Sequence, residues 1–484
     1  MENFYITTAI DYPSGDPHIG HAYEKICTDV IARWKRLEGF KVHFSTGTDE
    51  HGLKIQRVAE RAGKTPMQFV DEMSKKFKKL CKVYNISYDD FVRTTEKRHE
   101  EAFLNIFNKI KENGFIYEGE YSGPYCVDCE TFYTEKDLVE ENCCPIHKKP
   151  VETFEEEGYF FKLSAFQDKI LKHYKKSSDS IYPKNRKNQV LGLLKEPLKD
   201  LSITRKSSNW GFKVPGKDLV FAVWQEALTN YLTTIGYPKE GYKKFWPGHH
   251  VIGHDIVFHH TLLWDAWLMA AGLELPKVLI HGFINIKGEK MSKSGGLVVD
   301  PFDLADTYCI DSIRYYLIKS VVFGEDGDFS EDALKEKNNN ELANDLGNLL
   351  SRSLTLVEKY FDGKLSKQKD EGLFKGLNLD KISEKFEKFE LHNALEEIWK
   401  FVRLSNKYVN DNEPWKNEEN RDVVLYNLLE ALRIISILVS SFIPETSLEI
   451  NKQLGVKLGS VKDIKFGLVK EYKVKKGDVL FKKL

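Results

Sequence analysis

Three short groups of residues in this chain could carry chemistry. The first, His18-Ile19-Gly20-His21, packs two imidazoles and a glycine into four positions. It follows a run that reads as a strand and opens one that reads as a helix. A helix N-terminus presents backbone N–H groups and a partial positive charge to an anion. Gly20 lets the backbone approach closely, and the imidazoles add directed N–H donors that can follow charge developing on a phosphate. The second group lies far downstream, where Lys290-Met291-Ser292-Lys293-Ser294 is followed by Gly295-Gly296. Each ammonium is a compact point charge with three donors. A segment of such small residues can close over a triphosphate and neutralise charge in the transition state. In this order the two groups read as halves of one ATP site. The third group, Cys126-x2-Cys129 then Cys144-x2-His147, has the spacing of a tetrahedral zinc knuckle with three thiolates and one imidazole. With all four positions filled by protein the ion would be structural, and Cys143 is an alternative third sulfur.

The elements around these groups predict how they are positioned. Phe4 to Ile10 is rich in β-branched and aromatic residues and reads as a buried strand. A turn rich in Gly, Pro and Asp follows, then Ile26, Val30, Trp34 and Leu37 at helical spacing. Lys41 to Thr46 is a second strand candidate, ending at Gly47-Thr-Asp-Glu-His-Gly52. Strand, loop, helix, strand opens a parallel α/β sheet, in which ligands bind beyond the carboxyl ends of the strands. From about Gly114 the character changes. The cysteine-bearing stretch and the Lys- and Ser-rich loop at Lys172 to Asn188 read as an insertion. Strand-like signal returns at Leu219 to Trp224, Pro247 to Gly253 and Val278 to Ile284. After about Gly327 the pattern is helical, with Leu342, Leu346, Leu349 and Leu350, then Leu425, Leu428, Leu429, Leu432 and Ile435, predicting a bundle.

The fold expected is therefore α/β, a Rossmann-like parallel sheet split by a zinc-bearing insertion and followed by an all-α bundle. The divisions are 1–113 and 219–284 for the two halves of the sheet domain, 114–218 for the insertion with its knuckle at 126–147, 285–340 for the lysine loop and linking segment, and 341–484 for the bundle. A length of 484 residues suits about three domains. With 41% hydrophobic and 30% charged residues the composition is that of a globular protein. A formal net charge of -1 excludes a chain basic all over, so any nucleic acid must meet positive charge gathered on one face. No signal peptide is visible, and the apolar stretch Ala431 to Ile443 is too short to span a membrane, so it reads as a buried helix. Seven cysteines, four of them between Cys126 and Cys144, suit a cytoplasmic protein with one metal site and buried thiols at Cys27, Cys81 and Cys309.

These motifs resemble those of class I aminoacyl-tRNA synthetases, and over nearly the whole length the chain is similar to the methionyl-tRNA synthetase family of the single-knuckle type. The resemblance is carried by Thr7-Thr-Ala-Ile-Asp-Tyr-Pro-Ser-Gly-Asp-Pro-His-Ile-Gly-His21, Thr46-Gly-Thr-Asp-Glu-His-Gly52, Trp224-Gln-Glu-Ala-Leu-Thr-Asn-Tyr231, Gly253-His-Asp-Ile-Val-Phe-His-His260 and Lys290-Met-Ser-Lys-Ser294. It implies a methionine–tRNA ligase. Methionine would be activated by ATP, accompanied by Mg2+, to methionyl-adenylate and pyrophosphate, then passed to methionine tRNA, initiator and elongator alike. No protein nucleophile is required; catalysis is alignment and charge stabilisation.

The resemblance also implies roles. His18, His21, Lys290 and Lys293 would be catalytic, with Gly20, Gly253, Asp255, Met291, Ser292 and Ser294 at ATP. Asp49 would hold the methionine ammonium, with Ala9, Ile10, Tyr12, Trp224, Ala227, Leu228, Tyr231, Ile256 and His260 lining the side-chain site. Aromatic walls suit a polarisable thioether, and a polar contact near sulfur from Tyr231 or His260 would add selectivity that apolar shape cannot. Cys126, Cys129, Cys144 and His147 would hold zinc, the Cys144-Pro-Ile-His pattern favouring Cys144 over Cys143. In the bundle, Asn348, Arg352 and Trp415 would read the anticodon; Asn348 and Arg352, four apart, share a helix face, and unstacked bases stack on exposed aromatics. Three positions depart from the family pattern: Ser14 for Asn, Glu226 for Asp and His254 for Lys. Synthetases for leucine, isoleucine and valine usually carry a large editing insertion that this length does not hold. A paralogue that only binds RNA would predict damaged His and Lys motifs, and these are intact. The short stretch after the bundle predicts a monomer.

Overall fold

The computed structural model describes residues 2–139, 142–146, 148–286, 288–290, 298–369 and 372–484. The opening run of β-branched and aromatic residues forms a strand, Asn3–Thr8, buried from its second residue onward. It sits inside a six-stranded sheet ordered Asp90–Arg93, Lys41–Thr48, Asn3–Thr8, His249–Gly253, Lys277–His281, Ile181–Tyr182. Every pairing is parallel. Ile6 is in register with Phe44 on one side and His249 on the other. The chain runs outward from its first strand in one direction and later resumes on the other side. The topological switch therefore falls between Asn3–Thr8 and His249–Gly253, and the crevice at their carboxyl ends is where such sheets take ligands.

The helix after the first strand spans Ile19–Glu38. Ile26, Val30 and Trp34, one helical turn apart, are fully buried as their spacing requires. It ends at Gly39 with φ 95°, a left-handed position that suits glycine, and Lys35 and Arg36 complement the dipole in the last turn. One face of the sheet packs this helix and then the helical region, with Trp34 stacked on Phe386 at 4.0 Å. The other face packs apolar residues from both halves of the sheet domain and from the insertion, Phe103, Phe161, Trp264 and Trp267 among them.

The insertion contains a four-stranded antiparallel sheet ordered Thr131–Phe132, Ile116–Cys126, Glu152–Phe161, Leu201–Ser202. The parallel sheet takes its edge strand Ile181–Tyr182 from within the stretch read as insertion. The strand expected at Leu219 to Trp224 is corrected. Only Val220–Phe221 pairs as a strand, and the chain is helical from Val223 to Leu228, because the apolar run packs as a helix against the crevice. Helices Asn348–Phe361, Leu391–Asn412, Arg421–Val439 and Pro444–Leu454 make the bundle, with Leu349, Leu350, Leu428 and Leu432 in its core. Of the three cysteines expected to be buried, Cys27 and Cys81 are, but Cys309 is exposed. It stands just before the helix Ile310–Ser320, where the chain turns at the surface. Among the described residues no helix is long and apolar enough to cross a membrane.

Candidate active site

A cavity of about 450 Å3 opens at the switch point and is lined by the carboxyl ends of four strands, Lys277–His281 among them. Ala9, Ile10 and Tyr12 follow the first strand, Asp49 the second, and Gly253, Asp255 and Ile256 the strand His249–Gly253. His18, Gly20 and His21 enter from the first helix; Trp224, Ala227, Leu228, Tyr231 and His260 close the other end. Residues from five separate stretches of sequence thus face one space. Lys290 ends the short strand Glu289–Lys290, which pairs with Ile284–Ile286 beside the cavity's Phe283 and Ile284. Met291, Ser292, Lys293 and Ser294 lie outside the described residues.

The histidine motif caps its own helix. Gly20 N–H donates to His18 Nδ1 (3.2 Å) and His18 N–H donates to His21 Nδ1 (3.1 Å). A nitrogen that accepts carries no proton, so each neutral ring bears its hydrogen on Nε2. Both rings, with centroids 3.8 Å apart, line the cavity. Lys25, on the same helix, is fully buried 2.6 Å from Asp11 and ties the helix to the loop after the first strand.

Asp49 is buried, and its Oδ1 has no hydrogen-bond partner among the described residues. Burial, then the charges of Glu226, Glu130 and Glu50, push its carboxyl well above the usual carboxylate range. This corner of the cavity is short of a cation. Glu226 itself lies behind the wall, with Oε1 3.0 Å from His99 Nε2 and 3.3 Å from His51 Nδ1. Burial works against its charge, but the two imidazoles hold its carboxyl below the ordinary value.

At the apolar end, Tyr231 Oη is 2.7 Å from His260 Nε2, and His260 Nδ1 is 2.9 Å from the Ile256 carbonyl. The carbonyl can only accept, so Nδ1 carries the proton and Tyr231 donates to Nε2. Burial pushes His260 down to about 4, keeping it neutral. Trp224 stacks on His259 at 3.5 Å and donates its indole N–H to the Cys129 carbonyl (3.0 Å). Tyr12 donates to Glu130 Oε1 (3.2 Å), which also accepts the Lys54 N–H (2.8 Å). The cysteine loop is therefore one wall of the cavity, and Asp128, Cys129 and Ile146 line it.

In that loop the sulfurs of Cys126, Cys129 and Cys144 lie within 4.8 Å of one another. Three converging thiols are the soft donor set that zinc takes. Cys143 is not among them, and its backbone pairs with Val139 and Pro150. His147 lies outside the described residues. In the bundle, the Arg352 guanidinium sits 4.4 Å over the Trp415 ring and donates to Asn410 Oδ1 (2.7 Å). Asn348 is exposed one turn before Arg352 on the helix Asn348–Phe361, with the chain already helical ahead of it, so it is not a cap.

Of the departures from the family pattern, Ser14 lines the cavity. His254 turns to Phe283 (4.0 Å) and lies 3.5 Å from Asp326. Sequence reasoning missed Glu24, Lys54, Glu130, His259 and His281, which line the cavity without any signature spacing. Glu24 could have been found, since it lies three residues beyond His21 on the same helix face.

Comparison with known proteins bears on the family and the fold. The family described as "tRNA synthetases class I (M)" matches residues 4–151 and 136–354, and "Anticodon-binding domain of tRNA ligase" matches 378–476. The methionine–tRNA ligase of Caldanaerobacter subterraneus subsp. tengcongensis is 48% identical over 100% of this chain and 79% of its own. That of Bacillus subtilis is 43% identical over 99% and 78%. Mycobacterium tuberculosis methionyl-tRNA synthetase in complex with methionyl-adenylate superposes with a TM-score of 0.95 at 39% identity, covering 99% of this chain and 100% of that one. The apo form of that enzyme gives 0.89 at 36% identity, covering 100% and 98%.

Proposed function

Because the chain belongs to the methionine–tRNA ligase family of class I aminoacyl-tRNA synthetases, we propose that its cavity divides the work of methionine activation among the following residues. Asp49 takes the substrate ammonium, whose charge relieves the carboxylate repulsion around it. Tyr12, Trp224, Tyr231 and His260 enclose the thioether. The Tyr231 hydroxyl, committed as donor to His260, leaves its oxygen lone pairs toward the cavity. The methionine carboxylate then attacks the α-phosphorus of ATP in line, the bond to the bridging oxygen breaks, and pyrophosphate leaves with that electron pair. His18 and His21 offer Nε2–H donors and Gly20 its helix terminus to the charge that develops. Gly253 and Asp255 hold the nucleoside, and Lys290 with Lys293, Met291, Ser292 and Ser294 covers the triphosphate. Mg2+ accompanying ATP would neutralise the leaving pyrophosphate. In the second half-reaction a hydroxyl of the terminal tRNA ribose attacks the methionyl carbonyl and AMP leaves.

Cys126, Cys129 and Cys144 fit a structural zinc, to which His147 would be the fourth ligand. It would stiffen the loop whose Cys129 carbonyl receives Trp224. Asn348, Arg352 and Trp415 would receive anticodon bases, the Arg352–Trp415 pair offering a stacked face that already lies in place.

One juxtaposition carries the reading: Asp49, short of a cation, and the His18–His21 helix terminus open onto the same cavity. Methionine-dependent ATP–pyrophosphate exchange tests it, with leucine, isoleucine, valine and cysteine as controls and Lys293→Ala alongside. Exchange with methionine alone, lost in the variant, is expected. Preference for another amino acid would move the specificity assignment, and no exchange with any would overturn the reaction.

A further inference from the structure

The nucleotide end of the cavity holds an ion pair to which the reading above gives no task. Glu24 lies one turn beyond His21 on the first helix, and His281 ends the strand Lys277–His281; both line the cavity. His281 Nε2 is 2.8 Å from Glu24 Oε2, and His281 Nδ1 is 2.7 Å from the Gly282 carbonyl. A carbonyl can only accept, so Nδ1 carries a proton. The Nε2–Oε2 contact then needs one more, held by the ring as an imidazolium or shared with the carboxylate. Stripped of that proton, two lone pairs would face each other at hydrogen-bond distance.

Gly282 is clamped as well. A β-carbon there would lie 2.2 Å from the Glu325 carbonyl oxygen, and the next N–H, of Phe283, donates to Asp326 Oδ1 (2.8 Å). From this clamp the chain runs through Ile284–Ile286 to Glu289–Lys290, the root of the lysine segment. His281 therefore ties the helix that carries His18 and His21 to the clamped turn Gly282–Phe283.

We propose that His281 is a positioning residue for nucleotide binding and adenylate formation. Its protonated ring braces the first helix against the Gly282 turn at the end of the strand Lys277–His281 and holds Glu24 as a carboxylate at the cavity. The proposal rests on the methionine–tRNA ligase reading of this site. The charged groups around the ring are Glu24, Asp255 across Gly253, and Lys25 beside Glu24, itself paired with Asp11; the Tyr23 ring meets it edge-on at 5.7 Å. Burial pulls the imidazole down, but Glu24, the Gly282 carbonyl and Asp255 more than offset it, so the ring stays protonated above the usual histidine range. As pH rises through that raised value the brace is lost.

The test is the pH dependence of ATP binding and of ATP–pyrophosphate exchange, from about pH 6 to about pH 9.5, in the unaltered chain, His281→Gln and Glu24→Gln. The unaltered chain should weaken toward ATP on the alkaline side. His281→Gln should raise KM for ATP by about tenfold at neutral pH and lack the alkaline limb. Its methionine affinity, read by tryptophan fluorescence, should be unchanged. Glu24→Gln supplies an amide that donates to the unprotonated ring, so its profile should be flat across the same range. An alkaline limb unchanged in both variants, or methionine affinity lost along with ATP affinity in His281→Gln, would overturn the proposal. An ATP-binding limb that responds to the variants as described, in a protein that exchanges no amino acid, would support the brace and refute the assigned reaction instead.

Discussion

Replacing Arg314 by methionine should cost more stability than any change at the protein surface. Arg314 is fully buried on the helix Ile310–Ser320. Its guanidinium donates to the Phe442 carbonyl (2.8 Å), the Tyr84 carbonyl (2.9 Å), Asp29 Oδ2 (2.7 Å) and the Ser441 carbonyl (3.2 Å). One planar fork thus joins the first helix, the end of the helix Pro66–Val83 and the end of the helix Arg421–Val439. Methionine keeps much of the volume and removes every donor. Asp29 is not left bare, since it still accepts from Arg33 Nε (2.7 Å) and from the Ser87 N–H (2.7 Å) and hydroxyl (2.6 Å). Three buried carbonyls lose a partner at about 1–3 kcal/mol each before relaxation. Breaking a buried pair from one side costs about 3–5 kcal/mol overall, and with Asp29 partly compensated the low end, about 3 kcal/mol, is expected. Equilibrium urea denaturation followed by tryptophan fluorescence measures it. A loss below about 1 kcal/mol would refute the argument, placing this variant with ordinary surface changes.

The same cluster makes a pH prediction. Although burial opposes its charge, Arg314, Arg33 and Ser87 hold the Asp29 carboxyl below the ordinary carboxylate value. Its stabilisation is full above that ordinary value, about 3.9, and is lost as pH falls through the lower folded value. Acid unfolding of Asp29→Asn should therefore start from lower stability and be less steep than that of the unaltered chain.

Trp224→Phe keeps a ring against His259 but loses the donor to the Cys129 carbonyl; KM for methionine in pyrophosphate exchange should rise about tenfold. Cys144→Ser should lose bound zinc by metal analysis of the purified protein, whereas Cys143→Ser, whose sulfur is outside the converging cluster, should retain it; equal loss in both would contradict the cluster. Arg352→Ala removes the cation over Trp415 and should lower kcat/KM for tRNA charging by about 10- to 100-fold while leaving pyrophosphate exchange unchanged; exchange falling in parallel would remove the anticodon role.

Much of the parallel sheet was legible in the sequence because its strands and first helix bury continuous or periodic apolar residues. Asn3–Thr8, Lys41–Thr48, His249–Gly253 and Ile19–Glu38 all lie where that patterning put them, to within a few residues. The strand read at Leu219 to Trp224 runs into the helix that begins at Val223, because a short apolar run has no period long enough to separate the two states. Cys309 was misplaced because small apolar residues carry no burial signal of their own at a helix entrance.

The sequence by itself determined the chemistry on offer: two histidines at a helix start, paired lysines, a knuckle of thiols and an acid at a strand end. Local patterning is enough for that, since each motif is read within a few residues. Only the tertiary structure decided what those groups are worth together. The carboxyl ends of non-adjacent stretches meet at the switch point and bring His18, Asp49, Trp224 and Gly253 into one cavity. The Cys129 carbonyl receives Trp224 across 95 residues, and His281 meets Glu24 across 257. Burial then sets their charge states, raising the Asp49 carboxyl among other acids and neutralising His260. Distance and dielectric in the folded state fix these quantities, and neither is a property of residue order.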